Sequence, residues 1–169
     1  MFAAHVTTHI GQKALLIEKK TYPLMTTTGV FDFAMGGSVA FTGHPVYENN
    51  AIWGPHLAFD NARTTFDWCN FNGTSPLFGQ WVFPRRVTMK SIFLIPRLSG
   101  DGMPTSLSVE VDGVSIGSFT ATTLDAGSGH YITYAGPGYH IQPNVTGTTW
   151  RLNFGGSIAY IGEIEFWGY

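Results

Sequence analysis

Residues Leu107 to Phe119 read LSVEVDGVSIGSF, an order that little but an antiparallel hairpin can absorb. Leu107, Val109 and Val111 alternate with Ser108, Glu110 and Asp112, the period of two that turns one strand face inward and the other to water. Asp112-Gly113 supplies the pair that tolerates positive φ in a two-residue turn, and Val114 to Phe119 returns. The same period recurs. Phe31, Phe33 and Met35 alternate with Val30, Asp32 and Ala34 until Gly36-Gly37 ends the run. Trp150, Leu152 and Phe154 alternate with Arg151 and Asn153, and in the last run, Ile161 to Tyr169, Ile164 and Phe166 oppose Glu163, Glu165 and Trp167.

Such a chain is all-β, and its composition agrees. Charged residues make up only 12% of the 169, aromatics reach 15%, and there are 21 glycines. Few charges, many rings and frequent turn formers describe a packed β domain rather than a disordered segment or a helical bundle. The net charge of -2 and the scattered nine Lys and Arg leave no basic stripe, so nucleic acid is not an expected partner. No apolar run reaches the length of a membrane span, and MFAAHVTTHIGQK lacks the charged-then-apolar order of a signal peptide. The chain is therefore expected to fold in a cytoplasm without membrane insertion. Cys69 is the only cysteine, so packing and not an internal disulfide must hold the fold.

Residues 1–29 read differently from the rest and are taken as an N-terminal arm. Lys13 to Lys20 is compatible with a short helix or a strand, and Leu15, Leu16, Ile17 and Leu24 give the arm an apolar side for attachment to the sheet or to another subunit. Residues 30–169 form the domain. A loop from Gly43 to Pro55 carries His44, Tyr47, Asn49, Asn50 and Trp53. The domain is organised around the stretch from His56 to Arg97: Leu57-Ala58-Phe59-Asp60, a polar loop to Trp68, an edge-like strand from Gln80 to Phe83, a basic turn, and the wholly apolar strand Ser91 to Ile95. Asp125 to Gly138 is a glycine-rich loop holding His130, Tyr131 and Tyr134.

The order Asp60, Thr65, Trp68, Trp81 and Pro96-Arg97, then VEVDGVSIGSF, then the closing IGEIEF, resembles discoidin-type domains, the galactose-binding-like jelly-roll β-sandwiches of coagulation-factor type C domains and many carbohydrate-binding modules. The resemblance runs from about Val39 to Tyr169, although Asn61 stands where the family usually has Gly. In carbohydrate-binding members a structural calcium often sits beneath the loop that opens with the Asp. The resemblance thus implies Asp60 and Thr65 as ligands, Glu163 or Glu165 as the distant acid, and Asn61 as a further oxygen, a donor set suited to Ca2+. The alternative for Asp60 is a loop cap made with its own backbone amides.

A sugar site needs an exposed ring for stacking and nearby groups that meet hydroxyls. Trp53, His56, Trp68, Phe71, Arg97, His130 and Tyr131 are the candidates, with Trp53, His56, Arg97, His130 and Tyr131 the preferred set. Trp68 and Trp81 read better as core. Arg97 leaves an apolar strand at one end of the sandwich, where it either meets a ligand or ties loops together by pairing with Asp60, Asp67 or Asp101. No paired-histidine metal spacing and no G-x-S-x-G is present, and Glu163 and Glu165 on one strand face read as solvated or metal-facing rather than as an acid and a base. Catalysis is not expected.

These features predict a non-enzymatic component of a virion, such as a bacteriophage tail fibre or spike, that recognises host surface glycans and works as an oligomer in an assembly. The rival reading is a purely structural virion protein, a capsid decoration, neck or tail subunit, whose β-sandwich and arm bind other virion proteins. A third is a lectin unrelated to viruses. The receptor reading expects Trp53, Arg97 and Tyr131 to be exposed together; the structural reading expects them covered by neighbours.

Overall fold

The structure is a computed structural model that describes residues 17–19, 28–33, 38–44, 55–59, 69–72, 77–97, 99–125 and 134–169. In chain order the strands are β1 (Ile17–Lys19), β2 (Thr28–Phe33), β3 (Ser38–His44), β4 (Cys69–Asn72), β5 (Leu77–Pro96), β6 (Leu107–Val111), β7 (Val114–Phe119), β8 (Thr122–Leu124), β9 (Gly136–Ile141), β10 (Val145–Phe154) and β11 (Ile158–Gly168). One 3-10 turn, Pro55–Phe59, lies between β3 and β4. All the pairings are antiparallel. Among the described residues no helix is long and apolar enough to cross a membrane.

The fold is organised by β5. Its first part runs between β3 and β10 in the order β1-β2-β3-β5-β10-β6-β7, and its last part carries β11 and then β4 on one side, β9 and then β8 on the other. Twenty residues at about 3.3 Å each would reach roughly 65 Å, far beyond a domain whose radius of gyration is about 15 Å. The strand must therefore bend and serve two layers. The bend lies at Pro84-Arg85-Arg86, all exposed, where the pairing with β10 jumps from Val82↔Thr149 to Val87↔Gly147. A proline, which has no N–H for the ladder, fits such a break.

The expected edge-like strand Gln80–Phe83 and the separate strand Ser91–Ile95 are thus one element, and its first half is central, flanked by β3 and β10. The reason is the bulge: Pro and two Arg break the apolar alternation as a turn does, yet they only redirect the strand.

Inward side chains from both layers form one core. Trp81 of β5 has the rings of Phe41 at 5.3 Å, Phe59 at 5.6 Å and Phe166 at 5.2 Å, and Phe71 of β4 meets Phe154 of β10 at 4.8 Å. Each ring so buried stabilises the fold by about 2 kcal/mol. Phe71 was a candidate for a sugar platform; it is instead wholly buried, because the alternation of β4 turns it to the core. The outer face of the first layer is polar, as its alternation predicts. There Arg151 lies over the Phe78 ring at 3.8 Å and donates to Asn153, which donates to Glu110.

A second, smaller cluster, Phe93, Ile95, Leu124 and Tyr134, covers the outer face of the second layer. It explains a correction on the closing strand. Glu163 and Glu165 do alternate with Ile164 and Phe166, but they are 0% and 1% exposed rather than solvated. Alternation specifies which side a residue faces, and that second side is covered too. Strands β8 and β9 were also not foreseen. Gly136-Pro137-Gly138 reads as loop, yet Pro137 sits in a β9 segment that pairs β8, while Tyr139 to Ile141 pair Leu94 to Ile92 of β5.

Candidate functional site

Arg97 emerges where β5 ends, as its position after an apolar strand requires. Its Nε donates to Asp101 Oδ1 at 2.7 Å, and Nη2 bonds the other carboxylate oxygen. Ser99 also donates to Asp101. The guanidinium lies 4.2 Å from the centre of the Tyr160 ring. The hydrogen bond to Asp101 raises the Arg97 pKa, while the hydrogen bonds from Arg97 and Ser99 hold the Asp101 carboxyl well below the usual range. Both groups are ionised at neutral pH. Tyr160 is anchored to the same loop, donating its N–H to Gly102 O at 2.8 Å. A Cβ at Gly102 would collide with the ring, so only glycine, here at φ 71°, lets the loop close on it.

Across the ladder from Tyr160 stands Asn70 of β4. A transverse row therefore runs over three strands at one end of the second layer: Asn70, Tyr160, then Arg97 with Asp101. It offers an amide, an aromatic ring and an ion pair, the groups that engage sugar hydroxyls and C–H faces.

Further along the same face, Glu163 pairs with Ile95 and Glu165 with Phe93, and Glu165 Oε2 accepts from Trp167 Nε1 at 2.8 Å. The Phe93 ring stacks on His140 at 4.2 Å, and His140 Nε2 lies 3.3 Å from Ser91 Oγ. The two acids fit what a hard cation takes, carboxylate oxygens withdrawn from water, although one oxygen of Glu165 is committed to the indole. Among the described residues no group of three or more His, Cys, Asp or Glu is placed to hold a metal. The other expected ligands, Asp60, Asn61 and Thr65, lie outside the described residues. The turn that leads into them is seated on β11, with Phe59 and Phe166 at 5.6 Å.

Of the expected sugar residues, Trp53, His130 and Tyr131 lie outside the described residues, as does Trp68. His56 falls within the 3-10 turn. Arg97 is where it was expected, and it bonds Asp101, the one of its three offered partners that lies among the described residues. Tyr160 and Asn70 were missed. Each reads as one more residue of an alternating strand, and only the pairing of β4 with β11 makes them neighbours.

No family model matches the chain, and no curated protein sequence matches it. Solved structures do. CpGH89CBM32-5 from Clostridium perfringens, in complex with GalNAc-β-1,3-galactose, has a TM-score of 0.56 at 15% identity over 76% of this chain and 94% of its own. The F5/8 type C domain of a Bacteroides fragilis protein has a TM-score of 0.59 at 15% identity over 84% and 97%. SpX-3, a fucose binding module of Streptococcus pneumoniae, has a TM-score of 0.58 at 9% identity over 93% and 98%. With the order of strands on either side of β5, these likenesses identify the fold of this chain as the galactose-binding-like jelly-roll β-sandwich seen in carbohydrate-binding modules and type C domains.

Proposed function

We propose that this chain is a non-enzymatic glycan-binding module that serves on a virion as part of a tail fibre or spike. The observation that carries the binding reading is the row of Asn70, Tyr160, Arg97 and Asp101, which gathers an aromatic ring and hydrogen-bonding groups at one end of the sandwich. Support comes from the fold, which in two structural neighbours is seen in complex with GalNAc-β-1,3-galactose or with galactose. The apolar residues of the N-terminal arm, Leu15, Leu16, Ile17 and Leu24, suit attachment in a virion. Calcium belongs to the same proposal: Glu163, with Asp60, Asn61, Thr65 and Glu165, would hold it. The ion would supply a fixed positive centre joining the closing strand to the loop that follows Phe59.

A glycan array with the purified chain tests the reading. Binding to galactose-, GalNAc- or fucose-terminated glycans is expected, and Arg97→Ala is expected to weaken it by about tenfold or more, as loss of a charged hydrogen-bonding group does. Silence across all three classes removes the glycan reading. The closure of Arg97 on Asp101 favours the second reading, a structural virion subunit whose loops are tied for rigidity and whose sandwich binds other virion proteins. Under it the array is silent while the chain is still found by mass spectrometry in purified particles; absence from particles removes the virion setting.

A further inference from the structure

Nearly all buried polar atoms in proteins have a hydrogen-bond partner. Asn70 departs from this: it is 5% exposed, and its side-chain oxygen Oδ1 has no hydrogen-bond partner among the described residues. Strand alternation places Asn70 on the face that carries the candidate site. Phe71, the next residue, turns inward to Phe154, so strand alternation sends Asn70 to the opposite face. There its ladder partner is Tyr160, whose ring carries the Arg97 guanidinium. Directly opposed residues have Cβ atoms about 5 Å apart, so the two side chains are neighbours on that face. Among the described strands β4 pairs only with β11, which leaves Asn70 on the edge strand of the layer.

Charge narrows what can enter. Arg97 is matched by Asp101, so the row carries no net charge. An acceptor oxygen needs a donor, which a sugar hydroxyl supplies; a carboxylate or sulfate brings only acceptors and would meet the carbonyl dipole end on.

We propose that Asn70 is a specificity-determining residue of the glycan site: its side-chain carbonyl accepts a hydrogen bond from a hydroxyl of a neutral sugar and discriminates against anionic glycans. The proposal rests on the glycan-binding reading and adds to it the residue that selects. The experiment compares wild type, Asn70→Leu and Asn70→Asp by titration calorimetry with methyl β-galactoside, N-acetylgalactosamine, methyl α-fucoside and 3′-sialyllactose, alongside thermal melts. Wild type binds a neutral probe more tightly than it binds 3′-sialyllactose. Asn70→Leu, which replaces the orphan oxygen with apolar volume, melts no lower than wild type yet binds about tenfold or more weakly. Asn70→Asp keeps an acceptor in place and stays within about threefold of wild type.

Several results overturn the assignment: undiminished binding by Asn70→Leu, a loss in Asn70→Asp as large as in Asn70→Leu, or preference for the sialylated probe. If Asn70→Leu does not fold, Asn70→Ala, which also removes the oxygen, takes its place in every comparison. A wild type silent on all neutral probes removes the glycan reading and this proposal with it. A wild type that binds while Asn70→Leu is unaffected removes only the role of Asn70.

Discussion

Trp81 and Trp150 are both wholly buried, yet they differ in what their indole N–H groups meet. Trp150 Nε1 donates to Gly147 O at 3.3 Å, whereas Trp81 Nε1 has no hydrogen-bond partner among the described residues. An unmet buried donor costs about 1–3 kcal/mol, while a made hydrogen bond contributes about 1 kcal/mol. Exchange for Phe leaves a cavity at either place, but at position 81 it also removes the unmet donor. Trp81→Phe is therefore expected to destabilise by about 2–4 kcal/mol less than Trp150→Phe, read from urea unfolding midpoints. Equal or reversed losses would contradict the account. That Trp81 belongs to the core was legible from its place in an apolar run. That its N–H lacks a partner was not, because the answer depends on Phe41, Phe59 and Phe166, which arrive from three other segments.

The β6–β7 hairpin was the most legible element, and it forms as its residues require. Asp112 and Gly113 hold φ of 50° and 81° between Val111 and Val114. The structure adds a second duty: Asp112 Oδ1 accepts from Thr149 N at 2.8 Å and from Thr148 N at 2.9 Å, where β10 shifts register, and Arg86 lies 3.7 Å from Oδ2. The bonds from Thr149 and Thr148, aided by Arg86, lower the carboxyl's pKa. A folded pKa below the unfolded value gives a contribution that is complete above the ordinary aspartate pKa of about 3.9 and fades as pH falls through the lowered value. Asp112→Asn is thus expected to flatten this part of the acid loss of stability in melts between about pH 5 and pH 2; an unchanged acid profile would count against it. Asp112→Ala, which loses both bonds and places a residue ill suited to the left-handed region, should cost about 1–2 kcal/mol. By contrast β8 and β9 were not legible. Glycine and proline carry a local preference for turns, which the ladders of β9 with β8 and β5 override.

At the scale of the whole molecule, β5 makes the two layers one cooperative body, since neither layer keeps its central strand without the other. The closing strand lies against β5 and β4, and the turn Pro55–Phe59 rests on it through Phe59 and Phe166. A calcium held by Glu163 and the loop residues Asp60, Asn61 and Thr65 would tie distant parts of the chain. Calcium at about 100 times its dissociation constant should then stabilise the chelator-stripped protein by about 2.7 kcal/mol, a rise of roughly 5–10 °C for a chain of this length. Titration calorimetry should register heat, and Glu163→Gln should abolish both effects. A stripped protein that shows neither heat nor a melting shift has no such site.

Periodicity, the Asp-Gly turn and the spread of aromatic residues were enough to determine an all-β chain and the facing of most side chains, because alternation along a strand is a local property that the backbone enforces. Which strands become neighbours is not local. The course of β5 through Pro84, the covering of Glu163 and Glu165, and the meeting of Asn70, Tyr160 and Arg97 were decided by the tertiary structure. They depend on packing between segments tens of residues apart, which no window of sequence contains.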